Sequence, residues 1–333
     1  LNPRSGQPMS RLFGRMVVGM MPLMPRFVIR WVSRRYVAGV ALDDALKVMM
    51  KLASENACFT VDVLGEEISR IEESEFFIKE YNDLIDMIVE KKLDANLSIK
   101  PTAFGLHIDR EVGLSNIETL LRKAAQNDIF VRLDMEDHRV TDDTIEVCLA
   151  MHQKGLKNIG VVLQGRLFRT LDDIESISNG LGCDADFRIC KGIYLEPEEI
   201  AHTGYQAIVD ATNVAIDKML DSSSYVAIAS HDVPVIEHAL AALSQRGMGP
   251  EGEDPRDSPP PKRIGKGEGY EFQMLLGVRG DIRRRLAAKG HRTRVYIPYG
   301  ERWYEYSMRR LRENPTVAWH VTKALLMPWS NRR

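Results

Sequence analysis

Near the end of the chain, Tyr306, Arg309, Arg310 and Glu313 recur at i, i+3, i+4 and i+7 within YEYSMRRLREN. On a helix this spacing puts Tyr306, Arg310 and Glu313 on one face, with Arg309 beside them. Two readings fit. The residues form a solvated face with charges paired four apart, or the guanidinium groups grip a carboxylate or phosphate through paired hydrogen bonds that a lysine cannot imitate. Turned into a pocket, two arginines need such an anion to offset their burial.

Other polar residues end or punctuate short β-rich runs. They are Lys100, the pair Asp134 and Glu136, Gln164, Arg188 with Lys191, Ser230-His231-Asp232, Glu271 with Gln273, and Arg294 with Tyr296. Each alone is readable as an ordinary loop-edge residue. Together, with several of them basic, they suggest a site for an anionic ligand. No metal is expected, because the histidines show neither HxxxH nor HExxH spacing. Ser230, His231 and Asp232 are adjacent and cannot form a hydrolase triad by adjacency, and no GxSxG elbow is present.

Eight runs carry these residues: 58–65, 97–102, 129–136, 159–165, 187–192, 225–231, 270–275 and 293–299. Several read as nearly continuous apolar stretches, as in strands covered on both faces. Helical segments are expected between them, over about 74–93, 114–127, 141–154, 171–180, 198–221, 234–246, 278–289 and 301–313, with one more before the first strand at about 41–55. Eight strand–helix units point to a (β/α)8 barrel, whose chemistry collects at the C-terminal strand ends. A doubly wound sheet is the alternative, but no GxGxxG follows the first strand. Segment 247–269 has 11 Gly or Pro among its 23 residues, so neither helix nor strand persists there. It precedes a strand, so it is expected at the N-terminal face of the barrel rather than as an active-site lid.

The chain has 333 residues and a formal charge of -2, from 45 basic and 47 acidic residues, which argues against a dedicated nucleic-acid binder. The four cysteines form no CxxC pair, so neither a zinc ribbon nor a disulfide scaffold is indicated. The neutral balance hides an asymmetry: residues 1–36 hold seven arginines and no acid. The apolar stretch Val17–Pro25 is too short to cross a bilayer. A solvated extension, a lipid-facing segment and a targeting segment all fit this region.

Eight motifs, in this order, resemble proline dehydrogenase: FTVDVLGE (59–66), LSIK (97–100), VRLDMED (131–137), FRICKGIY (187–194), ASHD (229–232), EFQML (271–275), VYIPYG (295–300) and WYEYSMRRLREN (303–314). The resemblance extends to the matching module of bifunctional proline-utilisation proteins and covers about residues 37–320. With no second module after residue 333, the chain reads as monofunctional. The family implies a distorted (β/α)8 barrel holding FAD, with its final helix over the barrel mouth. The implied organisation is a basic, apolar extension (1–40), a barrel (41–320) and a tail (321–333).

The implied reaction is oxidation of L-proline to Δ1-pyrroline-5-carboxylate by hydride transfer from C5 to flavin N5, with electrons passed on to a membrane quinone. By resemblance, Arg309 and Arg310 bind the substrate carboxylate near Lys100, and Tyr306, Tyr296 and Leu275 surround the ring. Glu66 pairs with a substrate arginine on closure. Asp134, Gln164, Arg188, Lys191, Gly192, Ser230 and His231 are assigned to the cofactor, and Glu313 fixes the final helix. Tyr296 favours unsubstituted proline. Hydroxyproline, another cyclic imino acid, or a flavin-free small-carboxylate module remain as alternatives. The implied location is cytoplasmic or peripheral at the inner face of a bacterial inner membrane, with the N-terminus touching lipid. Three departures from the commoner family pattern bear on FAD: Asp232 replaces a neutral amide, and Ile193 and Leu195 replace Ala and Trp. Looser cofactor retention is the expectation.

Overall fold

A computed structural model describes residues 26–313. Eight parallel strands, β1 (Cys58–Val63), β2 (Ala95–Ile99), β3 (Val131–Leu133), β4 (Ile159–Gln164), β5 (Asp186–Cys190), β6 (Tyr225–Ala229), β7 (Tyr270–Leu275) and β8 (Thr293–Tyr299), close in sequence order into a barrel. Register is unbroken at the closure, where Thr60 pairs with Tyr296 and Asp62 with Pro298. The fold is therefore the (β/α)8 barrel.

The strands differ from the expected continuous apolar runs. Successive side chains alternate between outer and inner faces. Phe59, Val61, Leu97, Ile99, Leu133, Phe187, Ile228, Phe272 and Ile297 join one core with the helices, whereas Thr60, Asp62, Ser98, Arg132, Asp186, Arg188, Glu271, Gln273 and Arg294 are buried polar groups. An apolar outer face is enough to hold the helical layer. The inner face is thereby free to carry charge, provided every charge is paired.

The helices covering the strands are α2 (Leu42–Ala53), α3 (Ser74–Glu90), α4 (Arg110–Gln126), α5 (Thr141–Gln153), α6 (Thr170–Leu181), α7 (Tyr205–Asp221), α8 (Val233–Gln245) and α9 (Gly280–Ala288). The helix α4 begins four residues earlier than expected because Asp109 caps it, accepting from the Glu111 and Val112 amides at 3.1 Å. The expected helical start at residue 198 is a turn, and α7 begins only at Tyr205. An α1 (Arg26–Ser33), not foreseen as a helix, precedes the barrel.

The end of the chain departs from a regular barrel. The outer side of β8 is covered by α2, whose Ala45 and Met49 join the core. The last helix, α10 (Trp303–Glu313), packs against α1 and places Tyr306 on Leu64, just beyond the C-terminal end of β1. With α2 in the outer position, α10 is free to cover the mouth.

Segment 247–269 closes the opposite end, as its place before β7 implies. Arg256 donates to the carbonyls of Leu220 and Ser224, both at 3.0 Å. Lys266 reaches Asp186 at 2.8 Å and lies 3.8 and 4.0 Å from the ring centres of Tyr225 and Phe130. Arg294 belongs to this floor as well. It donates to Glu271 at 2.8 Å, to the Phe59 carbonyl at 2.6 Å and to the Gly265 carbonyl. Arg294 and Glu271 are thus structural charges, a correction to their reading as mouth residues.

Candidate active site

The centre of the mouth is built around the Asp134 carboxylate, immediately after β3. One oxygen accepts from the Ser98 hydroxyl at 2.6 Å and from Arg188 Nη1 at 2.7 Å, and the other from the Tyr296 hydroxyl at 2.6 Å. Lys100 lies 3.9 Å away and donates to Asp62 at 2.8 Å. Arg188 Nε donates to Gln273 at 2.6 Å, and its guanidinium lies 5.4 Å from the Tyr296 ring centre. β1, β2, β3, β5, β7 and β8 therefore contribute to one connected network.

The charges alternate, which sets their protonation. Burial alone would raise the Asp134 carboxyl, but Arg188 and Lys100, with the Ser98 and Tyr296 hydroxyls, hold it below its ordinary value. Burial opposes the charge on Lys100 too, yet the Asp62, Asp134 and Glu66 carboxylates keep its ammonium protonated more firmly than usual. Asp62 goes the other way: burial raises its carboxyl against the pull of Lys100, and one of its oxygens has no hydrogen-bond partner. Glu136 accepts from the Thr102 amide and hydroxyl at 3.3 and 2.6 Å, and burial pushes its carboxyl up to about 7.

Beside this network, β4 and β5 carry unsatisfied groups. Gln164 Nε2 donates to the Glu136 carbonyl at 2.9 Å, while its Oε1 is buried without a partner, as is Arg188 Nη2. Gly192 lets the Gln164 and Arg166 side chains lie directly against the backbone. Its φ is +93°, and a Cβ there would lie 2.5 Å from Gln164 Oε1. Lys191 is paired with Asp232 and lies 5.0 Å from the Tyr205 ring centre. His231 Nε2 accepts from the Leu275 amide at 2.9 Å, which places the proton of a neutral ring on Nδ1. The Ser230 hydroxyl accepts from the Asp232 amide at 3.2 Å, so these three residues are not arranged as a triad.

On the opposite rim, Glu66 is half-buried, accepts from the Tyr194 hydroxyl at 3.5 Å, and its carbonyl accepts from Arg302 at 3.2 Å. Leu275 is half-buried at the end of β7, and Tyr306 is buried among Val37, Leu64 and Trp303. Arg309, Arg310 and Glu313 belong to α10, and their side chains lie outside the described part of the structure. Lys100, Asp134, Arg188 and Tyr296 are brought into direct contact. Gln164 and Gly192 share the adjoining corner, and Lys191, Ser230 and His231 line the side reached by Asp232 and Leu275.

Asp62 and Ser98, not singled out from the sequence, complete the network together with Gln273. Asp62 carries a readable signal, the one charged residue of the strand CFTVDV. Among the described residues, no cluster of His, Cys, Asp and Glu is suited to a metal, and no helix is long and apolar enough to cross a membrane.

A family model described as proline dehydrogenase matches residues 45–323. The chain belongs to the proline dehydrogenase family. It is 31% identical over 294 residues to proline dehydrogenase 1 of Bacillus subtilis (strain 168), covering 88% of this chain and 90% of that protein. Against the proline dehydrogenase of Deinococcus radiodurans it is 30% identical over 298 residues, again covering 88% and 90%. The solved proline utilization A of Bdellovibrio bacteriovorus shares the fold, with a TM-score of 0.74 at 22% identity, over 85% of this chain and 33% of that larger one. The barrel is thus that of a proline dehydrogenase, and the network around Asp134 lies at the C-terminal strand ends, the face on which (β/α)8 barrels carry their active sites.

Proposed function

We propose that this barrel oxidises L-proline to Δ1-pyrroline-5-carboxylate, with FAD as its redox cofactor and a membrane quinone as the final electron acceptor. The observation that carries the reading is the pair of unsatisfied buried atoms at the mouth, Gln164 Oε1 and Arg188 Nη2, the first lying directly against Gly192. A buried acceptor and a buried donor left without partners call for a ligand that offers the complement of each. The edge of an isoalloxazine ring, with its N–H donor and its nitrogen and carbonyl acceptors, has that chemistry. Gln164, Arg188 and Asp134 would hold the ring. Lys191, Gly192, Ser230 and His231 would hold the remainder of the cofactor, Lys191 as a point charge suited to phosphate. When bound, the flavin supplies the two-electron acceptor for the C5 hydride.

The chain's own groups then bind, orient and exclude water. Arg309, Arg310 and Lys100 receive the substrate carboxylate, and Lys100 keeps N–H directions beyond the one given to Asp62. Tyr296, Tyr306 and Leu275 wall the ring, with Glu66 at the rim and Glu313 steadying α10. Tyr296 is tied to Asp134 and faces Arg188, so its ring is held in place, which supports unsubstituted proline over its hydroxylated relative. Asp134 is committed to four neighbours and remains ionised, so its work is to fix Arg188, Lys100 and Tyr296.

Anaerobic titration with L-proline tests the reading. The FAD-loaded protein should absorb at about 450 nm and bleach with proline. Arg309→Met or Arg310→Met should require at least about tenfold more proline for the same bleaching, as expected for loss of a charge-assisted hydrogen bond. A protein that binds proline but never bleaches, even after FAD loading, would be a carboxylate-binding module instead. Faster bleaching by hydroxyproline than by proline would overturn the assigned substrate.

A further inference from the structure

Residues 26–39 form a strap along the rim of the barrel mouth. The Ala38 amide donates to the Pro298 carbonyl at 2.9 Å, and the Gly300 amide to the Gly39 carbonyl at 3.1 Å, so the strap is laced to the end of β8. Arg35 Nε donates to the Gly277 carbonyl at 3.1 Å, which fastens it to the turn after β7. Gly277 has a φ of +71°, and a Cβ there would collide with the Arg35 carbonyl oxygen, so the turn and strap are fitted closely.

The strap reaches α10 through three aromatic residues. The Arg26 guanidinium lies 4.9 Å from the Tyr304 ring centre, and that of Arg30 lies 5.9 Å from the Trp303 ring centre. Val37 packs in a small cluster with Leu64, Trp303 and Tyr306, separate from the main core. On the other flank, Arg302 ties the start of α10 to the Glu66 carbonyl and to the Glu73 carboxylate, both at 3.2 Å. The helix α10 is thus held from two sides over a polar mouth that gives it little apolar surface of its own.

We infer that α1 is a positioning element for α10: Arg26 and Arg30 clamp Tyr304 and Trp303 and so hold the substrate-binding face of the last helix over the site. Both arginines face α10 and neither is among the residues assigned to substrate or cofactor. Loosening the clamp leaves the network around Asp134 intact and lets α10 lift. It therefore weakens proline capture, while leaving the chemical step of a captured molecule much as before. The kinetic part of this inference rests on the proposed proline oxidation; the mechanical part does not.

The test is the double variant Arg26→Ala/Arg30→Ala in the full chain, compared with Arg26→Lys/Arg30→Lys, because an ammonium also binds an aromatic face. Two measurements are made. Amide hydrogen exchange over 303–313 should be faster in the alanine variant by about tenfold and largely restored in the lysine variant, a scale set by two exposed cation–π contacts. The apparent KM for L-proline should rise by a similar factor, with kcat changed less than about twofold and the melting temperature of the barrel unmoved. Unchanged exchange in α10 overturns the inference whatever the kinetics. A fall in kcat with KM unchanged overturns it as well. If the wild-type chain does not oxidise proline, the functional reading fails, and hydrogen exchange alone decides the clamp.

Discussion

Glu136 is a buried carboxyl that meets a single polar residue, Thr102. Its two oxygens accept from the Thr102 amide and hydroxyl, contacts that favour the charged form, and burial outweighs them. Burial is the main cause of its rise to about 7, and the nearby Glu66 carboxylate adds to it, while Lys100 opposes both. A carboxyl raised from its ordinary 4.5 to about 7 keeps its proton in the folded state after the unfolded chain has lost it. Its contribution to stability is therefore complete below about 4.5 and is lost as pH rises through 7. Glu136→Gln keeps the shape and removes the titration. The melting temperature of the variant should gain on the wild type between those limits, by the equivalent of roughly 2–4 kcal/mol. Parallel melting profiles for the two proteins across that range would show that Glu136 is ionised throughout. Residue types were legible here and pairing was not. Lys100, Asp134 and Arg188 stand out as charges at strand ends, but Asp62, the partner of Lys100, lies 38 residues away along the chain and only the barrel's register brings the two together.

Among the elements, the strands were the easiest to anticipate and their two faces the hardest. A β-rich run of six residues between helical patterns marks a strand, but a barrel interior lined by Arg132, Asp186, Glu271 and Arg294 does not follow from the apolar content that reveals it. The Gly/Pro-rich segment 247–269 supplies the missing counter-groups from outside the strand–helix rhythm. Lys266 and Arg263 reach Asp186, which also pairs with Arg132. Burial opposes the Asp186 charge, but Arg132, Lys266 and Arg263 hold the carboxylate ionised, while the same burial pulls Lys266 down to about 7. Asp186→Asn keeps the volume and strands the positive charge in the barrel floor. The denaturant midpoint should fall by the equivalent of about 3–5 kcal/mol, as when one partner of a buried ion pair is removed. The floor lies at the end of the barrel away from the mouth, so the apparent KM for proline in the folded fraction should be unchanged. A variant as stable as the wild type would mean that the floor cluster is hydrated rather than dry.

For the whole molecule, residues 26–36 of the arginine-rich start acquire a geometry that their composition did not reveal, while residues 1–25 lie outside the described part of the structure. On α1, Ile29 and Ser33 are buried, whereas Phe27 and Trp31, on the far side of the same helix, are 74% and 52% exposed. Arg26, Arg30, Arg34 and Arg35 are exposed around them, and the helix contains no acidic residue. Aromatic side chains flanked by arginines suit the headgroup region of an anionic bilayer, where each basic residue near the surface contributes about 1 kcal/mol. One face of α1 is thus directed to the final helix and the other is free to meet lipid, so a quinone-reducing barrel held this way would have its mouth near its acceptor. The proposed membrane contact predicts that the full chain cosediments with anionic vesicles, less with neutral ones, and less again at high salt. A chain beginning near Val37 should stay in solution, and Phe27→Ser/Trp31→Ser in the full chain should fall between the two, since its arginines remain. Equal binding by the full and shortened chains would place any lipid contact elsewhere on the barrel.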